Sequence, residues 1–149
     1  MDKLSLTVQY ADPSLRTELT RPLLRRWVRA ALMAPAELTL RFVDAEEGRH
    51  LNREYRGKDY ATNVLTFAYP GATDDEPTRA DIVFCGEILR REAAQQHKSL
   101  AAHAAHLVIH GVLHAQGYDH EDEVEATEME ALEVEFLATL GLENPYLER

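Results

Sequence analysis

Five of the chain's seven histidines fall within 18 residues, from His103 to His120. His110 and His114 stand four apart, so on a helix both imidazoles leave one face about a turn apart. That spacing lets two nitrogens reach one metal ion. Gly117, three residues after His114, breaks the helix and lets the chain bring His120 back as a third ligand. Three neutral nitrogens leave the fourth position of a tetrahedral zinc ion open to water, as catalytic rather than structural zinc sites do. The expectation is one zinc ion per chain on His110, His114 and His120. His106, a turn before His110, is expected to pack or to support a ligand, since a fourth nitrogen would close the site. His103 is expected to be exposed, and His50 and His97 carry no argument.

The spacing His-x3-His-x2-Gly-x2-His is that of the metzincin zinc peptidases, with one difference. Gly111 stands where those enzymes keep the glutamate that serves as general base. Metal binding survives that change; peptidase chemistry does not.

These residues need elements to hold them. Ser99 is an N-cap candidate for a helix over Leu100–Ala115, which Gly117 ends. Before it, Leu4, Leu6 and Val8 alternate with polar residues as a strand, and Leu38, Leu40, Phe42 and Val43 form a second. Val64–Tyr69 and Asp81–Cys85, rich in β-branched and aromatic residues, are two more. Helices are expected over Leu15–Met33, with Pro22 early in it, over Ala45–Tyr55 and over Gly86–His97. A final helix begins in the acidic run Glu121-Asp122-Glu123 and turns Val124, Leu132, Phe136 and Leu140 inward. Pro70–Thr78 (PGATDDEPT) reads as an exposed loop. The pattern is an α+β domain: a small mixed four-stranded sheet, flanking helices, and a zincin-like metal site on a helix of the C-terminal half.

The 149 residues suit one domain spanning 1–149, and 45% hydrophobic with 28% charged residues is ordinary for a folded globular chain. No apolar run approaches the roughly 20 residues of a membrane span, and the N-terminal residues do not resemble a secretory signal. The single cysteine, Cys85, has no internal partner, which suits a reducing cytoplasmic compartment. The net charge of −10 argues against bulk attraction to nucleic acid. That charge is uneven: residues 1–60 carry net +2 and residues 61–149 net −12. A basic face on the first half therefore stays compatible with a polyanionic partner.

The run from His110 to His120, HGVLHAQGYDH, resembles the signature of the YbeY family of bacterial rRNA maturation factors. Leu51-Asn52-Arg53-Glu54-Tyr55-Arg56-Gly57-Lys58-Asp59 and Thr62-Asn63-Val64-Leu65-Thr66-Phe67 resemble a second family block, and Ala80-Asp81-Ile82-Val83 a third. Ala61, Thr66, Ala68 and Ala80 depart from the commoner Pro, Ser, Pro and Gly, which concerns loop stiffness more than chemistry. The resemblance implies a zinc-dependent, single-strand-specific endoribonuclease acting in 16S rRNA 3′-end maturation and ribosome quality control. It implies Arg56 as the catalytic cation, whose planar fork suits a phosphate; its competing role is an ion pair with Asp59 or Glu54. The implied partners are the single-stranded 3′ region of the 16S precursor and small-subunit ribosomal proteins or an assembly GTPase, with no membrane.

Other residues have lesser claims. Asp119 is expected to hold an imidazole or the turn, and Asp81 to orient the site from a strand end or to cap that strand. Tyr118 could stack on a base or pack against the fold, Lys58 touch a phosphate or stay an exposed loop lysine, and the Arg21–Arg29 helix contact rRNA or a ribosomal protein or be a solvated basic face. Cys85 is expected to be a small buried hydrophobe. The alternative to an enzyme is a non-catalytic ribosome assembly factor with a structural zinc site.

Overall fold

The computed structural model describes residues 3–69 and 76–147, so most of the expected Pro70–Thr78 loop lies outside the described residues. In chain order the elements are β1 (Leu4–Tyr10), α1 (Arg21–Ala31), β2 (Ala36–Val43), α2 (Ala45–Arg56), β3 (Val64–Tyr69), β4 (Thr78–Cys85), α3 (Gly86–Gln95), α4 (Leu100–Ala115) and α5 (Glu123–Thr139). The strands form one sheet in the order β1-β2-β4-β3, the first three parallel and β3 antiparallel on the edge. The expected α+β domain with a mixed four-stranded sheet is the one observed.

Strand alternation decides the two faces. Leu38, Leu40 and Phe42 on β2 pair in register with Ala80, Ile82 and Phe84 on β4. All six are buried and join α1, α4 and α5 in the main core. Fully burying a side chain such as Phe42 or Ile82 contributes about 1.5–3 kcal/mol. The opposite face carries a much smaller cluster, Val43, Leu65 and Val83, packed beneath Leu51 and Phe67. α4 lies at the centre, touching α1, α3, α5 and the β3–β4 pair. It is buried nearly all round, so its histidines project from a rigid rod.

Two elements differ from expectation. The helix expected over Leu15–Met33 starts only at Arg21, with a 3-10 turn over Pro13–Leu15 before it. Pro22 has no N–H to continue a helix from upstream, and its ring would clash with the carbonyl of residue 18. Thr20 is accordingly extended, while Leu15 and Leu19 still reach the core through the turn. In α5 the innermost residues are Met129, Glu133 and Leu137. Leu132, Phe136 and Leu140 pack beside that stripe, and Val124 is 70% exposed. The expected face was rotated, and a carboxylate occupies the middle of the true one.

Candidate metal centre

The end of α4 is set by local chemistry. Ser99 caps its start by accepting from the Ala102 N–H at 3.0 Å. At its end Gly117 has φ +104°, a conformation side chains resist. The Tyr118 N–H then closes onto the Leu113 carbonyl at 3.1 Å. The Asp119 carboxylate takes the His120 N–H at 2.7 Å and steadies the returning chain. His120 thereby arrives beside the helical pair. Its ring centroid lies 5.6 Å from that of His110 and 6.2 Å from that of His114.

The three imidazoles line a cleft of about 520 Å³ together with Tyr55, Arg56 and Asp119. The inner nitrogens of the helical pair are taken. His110 Nδ1 meets Glu133 Oε2 at 3.1 Å, and His114 Nδ1 meets the Tyr118 carbonyl at 3.0 Å. Both acceptors lack a proton, so each Nδ1 carries the hydrogen, and in the neutral ring Nε2 is then the nitrogen with the lone pair. Among the described residues neither Nε2 makes a hydrogen bond. Neutral imidazoles held in that tautomer by a carboxylate or carbonyl suit zinc.

Glu133 is the residue that sequence reasoning missed. Its side chain is 1% exposed. Oε1 accepts from His106 Nε2 at 2.6 Å and from the Tyr146 hydroxyl at 2.5 Å, while Oε2 serves His110. Burial pushes its pKa up, but the three donors outweigh that and hold it at about 2. The available signal was positional: Glu133 sits four residues from both Met129 and Leu137, in the middle of an apolar stripe.

The histidines do not form the tightest ligand set. Among the described residues, the group whose ligand atoms lie within 4.8 Å of one another is Asp119, Glu121 and Glu125. The imidazoles are nearly stacked, with interplanar angles of 30° and 27°. Three nitrogens on one zinc ion would sit roughly 3.3 Å apart, so an ion shared by these histidines would have to draw the rings together. The donor set argues for the histidines over the acids. Clustered carboxylates repel one another and are common on surfaces without an ion, whereas the helical imidazoles are already oriented from behind.

Arg56, the last residue of α2, faces the same cleft. Gly57, at φ +70°, ends the helix behind it. Asp59, a candidate partner for Arg56, instead pairs with Arg49 at 2.7 and 3.2 Å. Among the described residues the Arg56 guanidinium makes no hydrogen bond or ion pair.

Gly111 has a structural reason. A Cβ there would stand 2.8 Å from Ile82 Cγ2, so α4 lies too close to β4 for a side chain. A glutamate there, as in a zinc peptidase, would require Ile82 or the helix to shift.

The structure corrects the expectations for His103 and Asp81 and decides or meets those for Tyr118 and Cys85. His103 is buried, not exposed, and its Nε2 meets Glu92 Oε1 at 2.9 Å on the side facing α3. Asp81 does not orient the histidines: it lies on the opposite face of the sheet and accepts from the Tyr69 hydroxyl at 2.6 Å. Tyr118 packs against the main core, its hydroxyl 3.8 Å from Met33 Sδ. Cys85 is buried as expected, and burial pushes its thiol pKa up. No helix among the described residues is long and apolar enough to cross a membrane.

Residues 8–141 match a family model described as endoribonuclease YbeY. The chain is 67% identical over 152 residues to the endoribonuclease YbeY of Herminiimonas arsenicoxydans, covering 99% of this chain and 97% of that one. It is 66% identical over 146 residues to that of Janthinobacterium sp. (strain Marseille), covering 98% and 96%. The fold resembles the solution structure of TM1509 from Thermotoga maritima, with a TM-score of 0.56 and 22% identity, over 96% of this chain and 99% of that one.

Proposed function

The chain belongs to the endoribonuclease YbeY family, and on that premise we propose that it cleaves single-stranded RNA with one zinc ion held by His110, His114 and His120. The observation that carries this reading is the shared cleft: three imidazoles and an uncommitted arginine lining one cavity. A bound zinc ion supplies a water acidic enough to ionise near neutral pH and a Lewis acid for a phosphoryl oxygen. That makes a carboxylate base at position 111 unnecessary. Arg56 binds the scissile phosphate through two parallel N–H donors and neutralises charge that grows as the bond breaks. Glu133 and the Tyr118 carbonyl hold the helical imidazoles aimed, each by its Nδ1.

The substrate within this proposal is the single-stranded 3′ region of 16S precursor rRNA, cut during maturation and quality control of the small subunit in the cytoplasm. The partition of charge supports a substrate presented by a particle. A domain of net −10 gains little from bulk attraction, whereas docking to a small-subunit protein or an assembly GTPase raises the effective concentration of an exposed RNA end. Family membership favours this over a non-catalytic factor with a structural zinc.

The experiment pairs metal analysis of the purified protein with cleavage of a labelled single-stranded rRNA 3′ segment. Wild type is expected to hold one zinc per chain and cut; His114→Ala is expected to lose both. Retention of metal and activity by the variant would remove the histidine assignment.

A further inference from the structure

The sheet has a second face that the proposed chemistry does not use. α2 covers only its corner over Val43, Leu65 and Val83. Beyond that corner the register sets mostly polar side chains in rows across the strands: Thr7, Thr39 and Asp81 with the aromatic Phe67 in one, Ser5, Glu37, Arg79 and Tyr69 in the next. Among the described residues this face forms a groove of about 710 Å³. Tyr55, Thr66 and Phe67 line both this groove and the histidine cleft. The two hollows adjoin across the edge strand β3.

The groove's chemistry is specific. Two large aromatic rings stand exposed along it, Tyr55 at 67% and Tyr69 at 52%. Neither is loose: Tyr55 packs edge-on to Phe67 with centroids 4.9 Å apart, and the Tyr69 hydroxyl is tied to Asp81. The floor is apolar, from Leu51 and Val83. Both cations on this face are already engaged: Arg41, in the groove, has Nε and Nη2 on Glu47 at 2.9 and 2.8 Å and Nη1 on Gln9 at 3.1 Å, and Arg79, in the outer row, pairs with Glu37 at 2.9 Å. With Asp81 beside it, the groove has no surplus positive charge for phosphates. It has amide, hydroxyl and carboxylate groups for base edges, and rings for base faces.

We propose that this groove receives the unpaired bases that flank the cleaved bond, stacked on Tyr55 and Tyr69, while the backbone phosphates stay outside toward Arg56. The proposal rests on the endoribonuclease reading. A strand whose phosphate sits in the cleft must continue beyond it, and the adjoining groove provides a path. Thr66 to Tyr69 spans about 10 Å of strand, which at about 3.4 Å per stacked base accommodates two or three. Only an unpaired strand offers free base faces, so the groove selects single strands.

The test uses the full-length zinc-loaded protein, a fluorescently labelled RNA octamer, the same octamer carrying one abasic site at each position in turn, and its duplex. Binding is read by fluorescence anisotropy at low temperature and cleavage on the same samples, with thermal unfolding as the folding control. Tyr69→Ala and Tyr55→Ala are each expected to weaken octamer binding at least fivefold with unchanged melting temperature. Tyr69→Phe, which keeps the ring, is expected to bind within twofold of wild type. Abasic substitution at the stacked position is expected to erase the difference between wild type and Tyr69→Ala. Alanine variants that bind every octamer like wild type, or duplex bound as tightly as single strand, would overturn the groove. Cleavage lost with His114→Ala but binding unmoved by Tyr69→Ala would sink the groove alone. Tyr69-dependent binding without cleavage by wild type would sink the catalytic reading alone.

Discussion

Glu133 on α5 and His110 on α4 are 23 residues apart, yet the carboxylate Oε2 lies 3.1 Å from the imidazole Nδ1. The other oxygen is clamped by His106 and Tyr146, so the carboxylate has no freedom to swing away. One buried anion thus joins α4, α5 and the C-terminal segment to the imidazole that faces the cleft.

Replacing that carboxylate by the isosteric amide is therefore expected to act on the metal. Glu133→Gln should weaken zinc binding about ten- to a hundredfold, measured by competition with a chelating dye. Wild-type affinity in the variant would reduce Glu133 to a packing residue.

The same group imposes a pH dependence on the metal-free fold. A carboxyl held at about 2, below its ordinary 4.5, adds stability that is present above pH 4.5 and lost as pH falls from 4.5 toward 2. Glu133→Gln cannot titrate there. The difference in urea midpoint between wild type and variant should be largest near neutral pH and shrink across that window. A difference independent of pH would show that the hydrogen-bonded anion is not its source.

Gly111→Ala tests the contact that sets the depth of α4. A methyl group 2.8 Å from Ile82 Cγ2 requires the Ile82 side chain or α4 itself to shift. The net loss should be about 1–3 kcal/mol despite alanine's better helix propensity. Denaturant titration reads it, and a stabilised variant would show that the helix shifts at no cost.

The competing ligand sets are separated by a pair of variants. Glu121→Gln with Glu125→Gln should retain one zinc per chain by elemental analysis, because the imidazoles remain. His110→Ala should not. The reverse pattern would move the metal to the acidic cluster.

Arg56→Lys keeps the charge and loses the fork. Cleavage should fall at least tenfold, about 1.4 kcal/mol of barrier, with unchanged melting temperature and zinc content. An unchanged rate would take Arg56 out of the chemistry.

Much of this molecule is written in local pattern. The span of α4, its Ser99 cap and its Gly117 stop follow from side-chain period and backbone preference, both properties of short segments. The histidine spacing follows with them, as do the four strands, whose alternation records which face each buries. What local pattern could not supply is contact between distant segments. Glu133 reads as one more acid in an acidic helix until α5 packs on α4 and closes it off from water. His103 looked exposed because its partner Glu92 belongs to another helix. Asp81 looked close to the site because nothing in its own strand tells which face of the sheet looks at α4. Among the described residues, the open part of the other sheet face with its exposed tyrosines exists because α2 alone packs there, over one corner. Periodicity encodes which side of an element is apolar; only packing decides what lies opposite.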